Sequence, residues 1–167
     1  MTTDEQHVRN GQAFFDAIRA DNAWSEAAAF RPPRWLHEVG SSVALAAVGE
    51  DVEYVTLGGT REGRFDLNGV AFTQSRMIRF AAKAEFHSDD AEIEVVARGL
   101  KDLTEIGVHA RVPLGATEGV MQWPGAPSAQ LRFRDGFSIS IPATQVWLEP
   151  DRDALAALIQ RLPSFLA

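Results

Sequence analysis

Histidines and paired carboxylates are the side chains best able to hold a metal or move a proton, and in this chain they are dispersed. His7, His37, His87 and His109 lie far apart, and none forms a pair at ligand spacing. The run His87-Ser88-Asp89-Asp90 offers oxygen donors to a hard cation. It lacks the glycine and the distal bidentate glutamate of a calcium loop, so it reads as a surface turn. Glu92 with Glu94, and Asp102 with Glu105, fit the polar faces of strands and turns. Ser138 and Ser140 fall on the outward face of a strand with no base nearby, and there is no Gly-x-Ser-x-Gly elbow. The stretch Gly58 to Arg64 lacks the Gly-Lys-Ser or Gly-Lys-Thr of a phosphate loop. With no cysteine in the chain, disulfides and thiolate chemistry are excluded, which fits a reducing compartment. The expectation is a protein that is not an enzyme and uses neither cofactor nor metal.

Cations and aromatic residues make the remaining candidates for binding. The net charge is -7, and only residues 61–83 are locally positive, with Arg61, Arg64, Arg76, Arg79 and Lys83 against Glu62 and Asp66. One small basic window on an acidic chain is a poor basis for nucleic-acid binding, which needs summed attraction to many phosphates. The same window is the route by which an anionic lipid surface would be recognised, as an alternative function. Thr73 and Arg76 bracket a turn and can either hold a ligand phosphate or hold the turn itself; the second reading is favoured. Arg34-Trp35 and Met121-Gln122-Trp123-Pro124 combine residue types that anchor protein interfaces. Trp24 and Trp147 complete the tryptophans. All four pack an extension onto the core or contribute to a docking surface.

These side chains are positioned by helices first and strands afterwards. Val8, Phe14, Phe15 and Ile18 recur at helical spacing between Gln6 and Ala29, and Phe30 to Pro33 ends that helix. Pro33 suits the first turn of a short second helix that runs to Val39 and stops at Gly40. Residues 41–48 fit helix or strand, and Asp51 to Leu57 reads as a half-buried strand. Beyond it, strands alternate with turn signals at Gly58-Gly59, Asn68-Gly69, Gln74-Ser75, residues 88–90, Gly99 and Pro124-Gly125. In the hairpin from Gly69 to Phe80, the even-numbered Val70, Phe72, Ile78 and Phe80 share one face if the loop is odd and centred on Gln74. Between Gln130 and Pro142, a three-residue loop Arg134-Asp135-Gly136 with Gly136 left-handed pairs Phe133 with Phe137 and Leu131 with Ile139. Thr104, Ile106, Val108, Ala110 and Val112 form the buried face of another strand. Asp151 and Asp153 suit the start of a last helix whose stripe is Leu155, Leu158, Ile159 and Leu162.

Three landmarks in this order carry a family resemblance: Gly49-Glu50 before the first strand, the Gly69–Thr73 to Arg76–Phe80 hairpin, and Gly99 to Ile106. The chain from about Ala47 to Leu166 resembles the bacterial pleckstrin-homology-like (PH-like) domains, a family of mostly unknown function. The resemblance implies an α+β, mainly β fold: an antiparallel barrel of about seven strands capped by a C-terminal helix, here with an N-terminal helical extension. Residues 1–40 would be that extension and 41–167 the barrel domain. It also implies a non-enzymatic interaction or self-assembly module whose partner is another protein or a second copy. The readings kept beside it are lipid binding and a small-molecule-binding barrel or enzyme. The polar N-terminus and the lack of any long apolar run make a cytoplasmic protein the expectation.

Overall fold

A computed structural model describes residues 3–28, 31–111, 125–145 and 149–166. Two helices lead: α1 (Thr3–Ala20) and α2 (Arg34–Ala46). Seven antiparallel strands follow: β1 (Tyr54–Thr60), β2 (Phe65–Phe72), β3 (Arg76–Ala84), β4 (Glu92–Gly99), β5 (Leu103–Arg111), β6 (Ala126–Phe133) and β7 (Ser138–Ile141). Helix α3 (Arg152–Arg161) is last. The strands form one sheet in the order β1-β2-β3-β4 and a second in the order β5-β6-β7. The α+β class and C-terminal helix agree with expectation, but no pairing among the described residues closes the two sheets into a barrel.

The inner part of the first sheet is buried on both faces. Phe14, Ile18, Trp35 and Val43 of the helices pack on Leu57, Ile78 and Phe80 on one side. On the other, Tyr54, Val70, Phe72 and Met77 meet Leu131 and Phe133 of the second sheet and Leu155 and Leu158 of α3. This corrects the face assignment for the hairpin from Gly69 to Phe80. Phe72 stands opposite Met77, Ala71 opposite Ile78 and Gly69 opposite Phe80, across a two-residue Gln74-Ser75 turn closed by the Thr73 N–H to Arg76 carbonyl bond at 3.0 Å. Val70 and Phe72 therefore face away from Ile78 and Phe80. Alternation cannot reveal register when both faces are apolar.

Several turn signals fall inside strands. Gly58 and Gly59 belong to β1, and Asn68 and Gly69 to β2. Their glycines answer close approach: a methyl group on Gly69 would sit 2.4 Å from the Phe80 ring and 2.5 Å from the Thr56 carbonyl. Gly40 likewise does not stop α2, which continues to Ala46. A methyl group there would lie 3.0 Å from the Phe14 ring, so Gly40 lets α1 and α2 touch. The left-handed residues that end the run are Val48 and Gly49, with φ of 48° and 79°. Pro33 is the cap of α2 and lies outside its first turn.

Helix α1 ends at Ala20, well short of Ala29. The Asp21 side chain accepts the N–H groups of Ala23 and Trp24 at 2.8 and 3.1 Å, a local turn that competes with helix. Val8 is exposed, and the buried stripe is Gln6, Asn10, Phe14 and Ile18. Asn10 works as a backbone clamp: it donates to the Glu50 carbonyl at 2.8 Å and accepts from the Val52 N–H at 2.9 Å.

In the second sheet, β5 is an edge strand and mostly exposed, so its expected buried face is reduced to half-buried Ile106, with Val108 open. A register shift between Leu103 and Glu105 turns Leu103 inward instead. The β6–β7 hairpin has the expected register, with Leu131 opposite Ile139, Phe133 N–H bonded to Phe137 carbonyl at 2.9 Å and Gly136 left-handed at φ 84°. Helix α3 is capped by Asp151, whose side chain accepts the Ala154 N–H at 3.0 Å. Its stripe Leu155, Leu158, Ile159 and Leu162 is buried as expected.

Candidate functional site

The Thr73 and Arg76 pair is built into the fold. Thr73 is buried; its hydroxyl bonds Glu50 and accepts the Arg76 N–H at 3.0 Å. Glu50 also receives the Ser75 N–H at 2.9 Å. Burial pushes the Glu50 carboxyl upward, but hydrogen bonds from Ser75 and Thr73, with the charge of Arg76, outweigh it and hold the group below its ordinary value. Gly49-Glu50 and the hairpin turn are thus one clamp.

The basic window does not form one surface. Arg79 pairs with Glu94 and lies 5.9 Å from the Phe137 ring of the second sheet, whereas Arg61 turns the other way, toward the helices. Arg64 stands 3.9 Å from Asp66, and exposed Lys83 is opposite Glu92 across the β3–β4 ladder. Trp24 and Trp35 are fully buried, and both lie against Phe65, with ring centroids 6.2 and 5.7 Å away. Val112, Trp123 and Trp147, with the Met121–Pro124 segment, lie outside the described residues.

What the fold does bring together is Arg34 and Arg61. They line one cleft of about 1120 Å³ with Arg31, His37, Phe65 and Phe86. Its walls are the start of α2, the β1–β2 loop and the β3–β4 turn. Arg61 donates to the Ala23 carbonyl at 3.0 Å, pairs with Glu26 at 3.3 Å and lies 5.7 Å from the Phe65 ring centre. Arg34 pairs with Glu38 at 2.9 Å, and its N–H donates to Asp89 at 3.3 Å. Phe86 stands edge-on to Phe65, centroids 4.9 Å apart, and is 41% exposed. The next residue, His87, also lines the cleft and has φ of 66°, an uncommon conformation for a residue with a side chain. Sequence reasoning missed Arg31, His37 and Phe86; the available signal was Arg31-Pro32-Pro33-Arg34, two cations held apart by a stiff pair.

A second polar group is buried between the sheets and α3. Glu149 accepts from the Thr56 hydroxyl at 3.0 Å and the Asp151 N–H at 3.3 Å, while Thr56 accepts the Ala143 N–H at 2.9 Å. The nearby Tyr54 hydroxyl has no hydrogen-bond partner among the described residues; burial, then the Glu149 charge, push it well above an ordinary phenol. Burial raises Glu149 as well, ahead of the lowering hydrogen bonds from Asp151 and Thr56. The folded protein therefore holds a proton that the unfolded chain has released, and stability falls as pH rises from the unfolded carboxyl value through the higher folded one. Urea midpoints across that range should decline less for Glu149→Gln than for the native chain. Parallel pH profiles would show that Glu149 is not the linked group. Glu149 does not line the cleft at Arg34 and Arg61, and its bonds tie β1 to the segment before α3.

Among the described residues, no three His, Cys, Asp or Glu stand close enough to share a metal ion. Residues 88–90 form a turn in which Ser88 bonds the Asp90 backbone at 3.0 and 3.1 Å. No described helix is long and apolar enough to cross a membrane. Comparison with protein-family models, with curated proteins and with solved structures gives no match to this chain.

Proposed function

We propose that the chain is a non-enzymatic PH-like module that binds a protein partner through the cleft between α2, the β1–β2 loop and the β3–β4 turn. Two antiparallel sheets of four and three strands followed by a helix support the PH-like part of this reading. The binding part is carried by one observation: three arginines and an exposed phenylalanine from three separate segments converge on one concave surface. Arginine and aromatic side chains dominate the energetic centres of protein interfaces. A lipid surface is served less well, since Arg61 and Arg79 turn to opposite faces of the first sheet and each already meets a carboxylate.

Panning phage-displayed random peptides tests the proposal. Sequences should be enriched on the native protein and lost on a variant carrying Arg34→Ala, Arg61→Ala and Phe86→Ser, with affinity of recovered peptides down roughly tenfold or more. Equal enrichment on both proteins would place the binding surface elsewhere.

A further inference from the structure

We infer that the occupant of this cleft is an acidic peptide segment that carries a large apolar side chain among its carboxylates. The inference rests on the cleft being the binding surface and adds the chemistry of its partner. The size comes first. A cleft of about 1120 Å³ lies at the upper end of small-ligand sites, roughly 300–1,000 Å³, and has room for several residues of a peptide.

Charge selects the sign. The cleft already shows what its cations attract, because this chain's own carboxylates pair with them: Glu26 with Arg61 and Glu38 with the Arg34 guanidinium. Glu26 is 81% exposed and Arg34 73%. Such pairs are weak and solvent-screened, so a carboxylate from a partner can replace them. Arg31 has no ion pair among the described residues and is exposed, which adds a further cation. Bidentate guanidinium recognition of carboxylates sets the geometry. Phe86, exposed and stacked edge-on against Phe65, supplies the apolar contact. A nucleic acid is disfavoured because three arginines, two of them already paired with carboxylates, offer too few phosphate contacts.

Fluorescence anisotropy with three labelled peptides tests this: alternating Glu and Phe, alternating Glu and Ser, and alternating Lys and Phe. At low salt the Glu-Phe peptide should bind, the Glu-Ser peptide about tenfold more weakly, and the Lys-Phe peptide not measurably. Arg31→Ala and Arg34→Ala, both at exposed positions, should each weaken Glu-Phe binding severalfold without changing the thermal midpoint. Glu38→Gln should strengthen it by releasing Arg34, an effect no purely structural role of Glu38 predicts. Comparable Lys-Phe binding, no saturable Glu-Phe binding, or indifference to the Arg31 and Arg34 variants overturns the inference. So does displacement of the Glu-Phe peptide by phosphatidylserine vesicles, which would assign the cleft to a membrane. Phage-selected peptides that need Arg34 and Arg61 but are neutral or basic would sink this inference while leaving the cleft as the binding surface. Selected peptides indifferent to those arginines would remove the cleft itself.

Discussion

Trp35→Ala is expected to remove about 3–5 kcal/mol of folding stability, the range for deleting a large buried aromatic side chain. Trp35 has no solvent exposure and lies in the core that joins α2 to the first sheet, against Phe65. A domain of this size has about 5–15 kcal/mol in all, so the variant should be near its unfolding threshold at room temperature. The indole nitrogen of Trp35 has no hydrogen-bond partner among the described residues, so Trp35→Phe loses volume but also removes a buried unsatisfied donor. It should therefore recover a large part of the loss. Urea unfolding of the two variants decides the point. A loss below about 1 kcal/mol for Trp35→Ala would mean that the helical layer collapses freely around the gap and is not locked to the sheet. The effect should reach function too, because Phe65 both contacts Trp35 and lines the cleft.

Gly59→Ala should be similarly severe. Gly59 has φ of 105°, and a methyl group on it would lie 1.8 Å from the Asp66 carbonyl oxygen, a backbone atom that cannot rotate away. Backbone strain of about 1–3 kcal/mol adds to an overpacking cost of about 1–3 kcal/mol. Gly63, in the same hairpin, is the matched control: its φ is also positive, at 75°, but a methyl group there meets nothing within 4 Å. Gly63→Ala should cost only the strain. Equal thermal shifts for the two variants would show that the contact with Asp66 relaxes easily. Because Arg61 follows directly on β1 and Phe65 opens β2, Gly59→Ala should also weaken peptide binding at the cleft, whereas Gly63→Ala should disturb it less.

Legibility of the sequence followed the number of faces each element buries. The β6–β7 hairpin could be registered residue by residue because Asp135-Gly136 marks the turn and only one pairing puts Leu131 and Ile139 together. Helix α3 was readable for the same reason, with one apolar stripe and an Asp at its start. The β2–β3 hairpin was found but its faces were assigned wrongly, since a strand that is apolar on both sides carries no parity signal. Gly40, Gly58, Gly59 and Gly69 looked like punctuation and are instead places where another ring or carbonyl comes close. Nothing local distinguishes a glycine needed for a turn from one needed for contact.

By itself, then, the sequence determined that helices precede the strands and a helix follows them, the apolar stripe of α3, the single-sided hairpin and the absence of thiol chemistry. These follow from short-range spacing and composition. Only the tertiary structure decided that the helices cover one face of the first sheet and that the Thr73 turn is tied to Glu50. It alone decided that Arg31 and Arg34 meet Arg61 and Phe86. Contacts between segments this far apart depend on how the layers pack, and packing is a property of the whole chain.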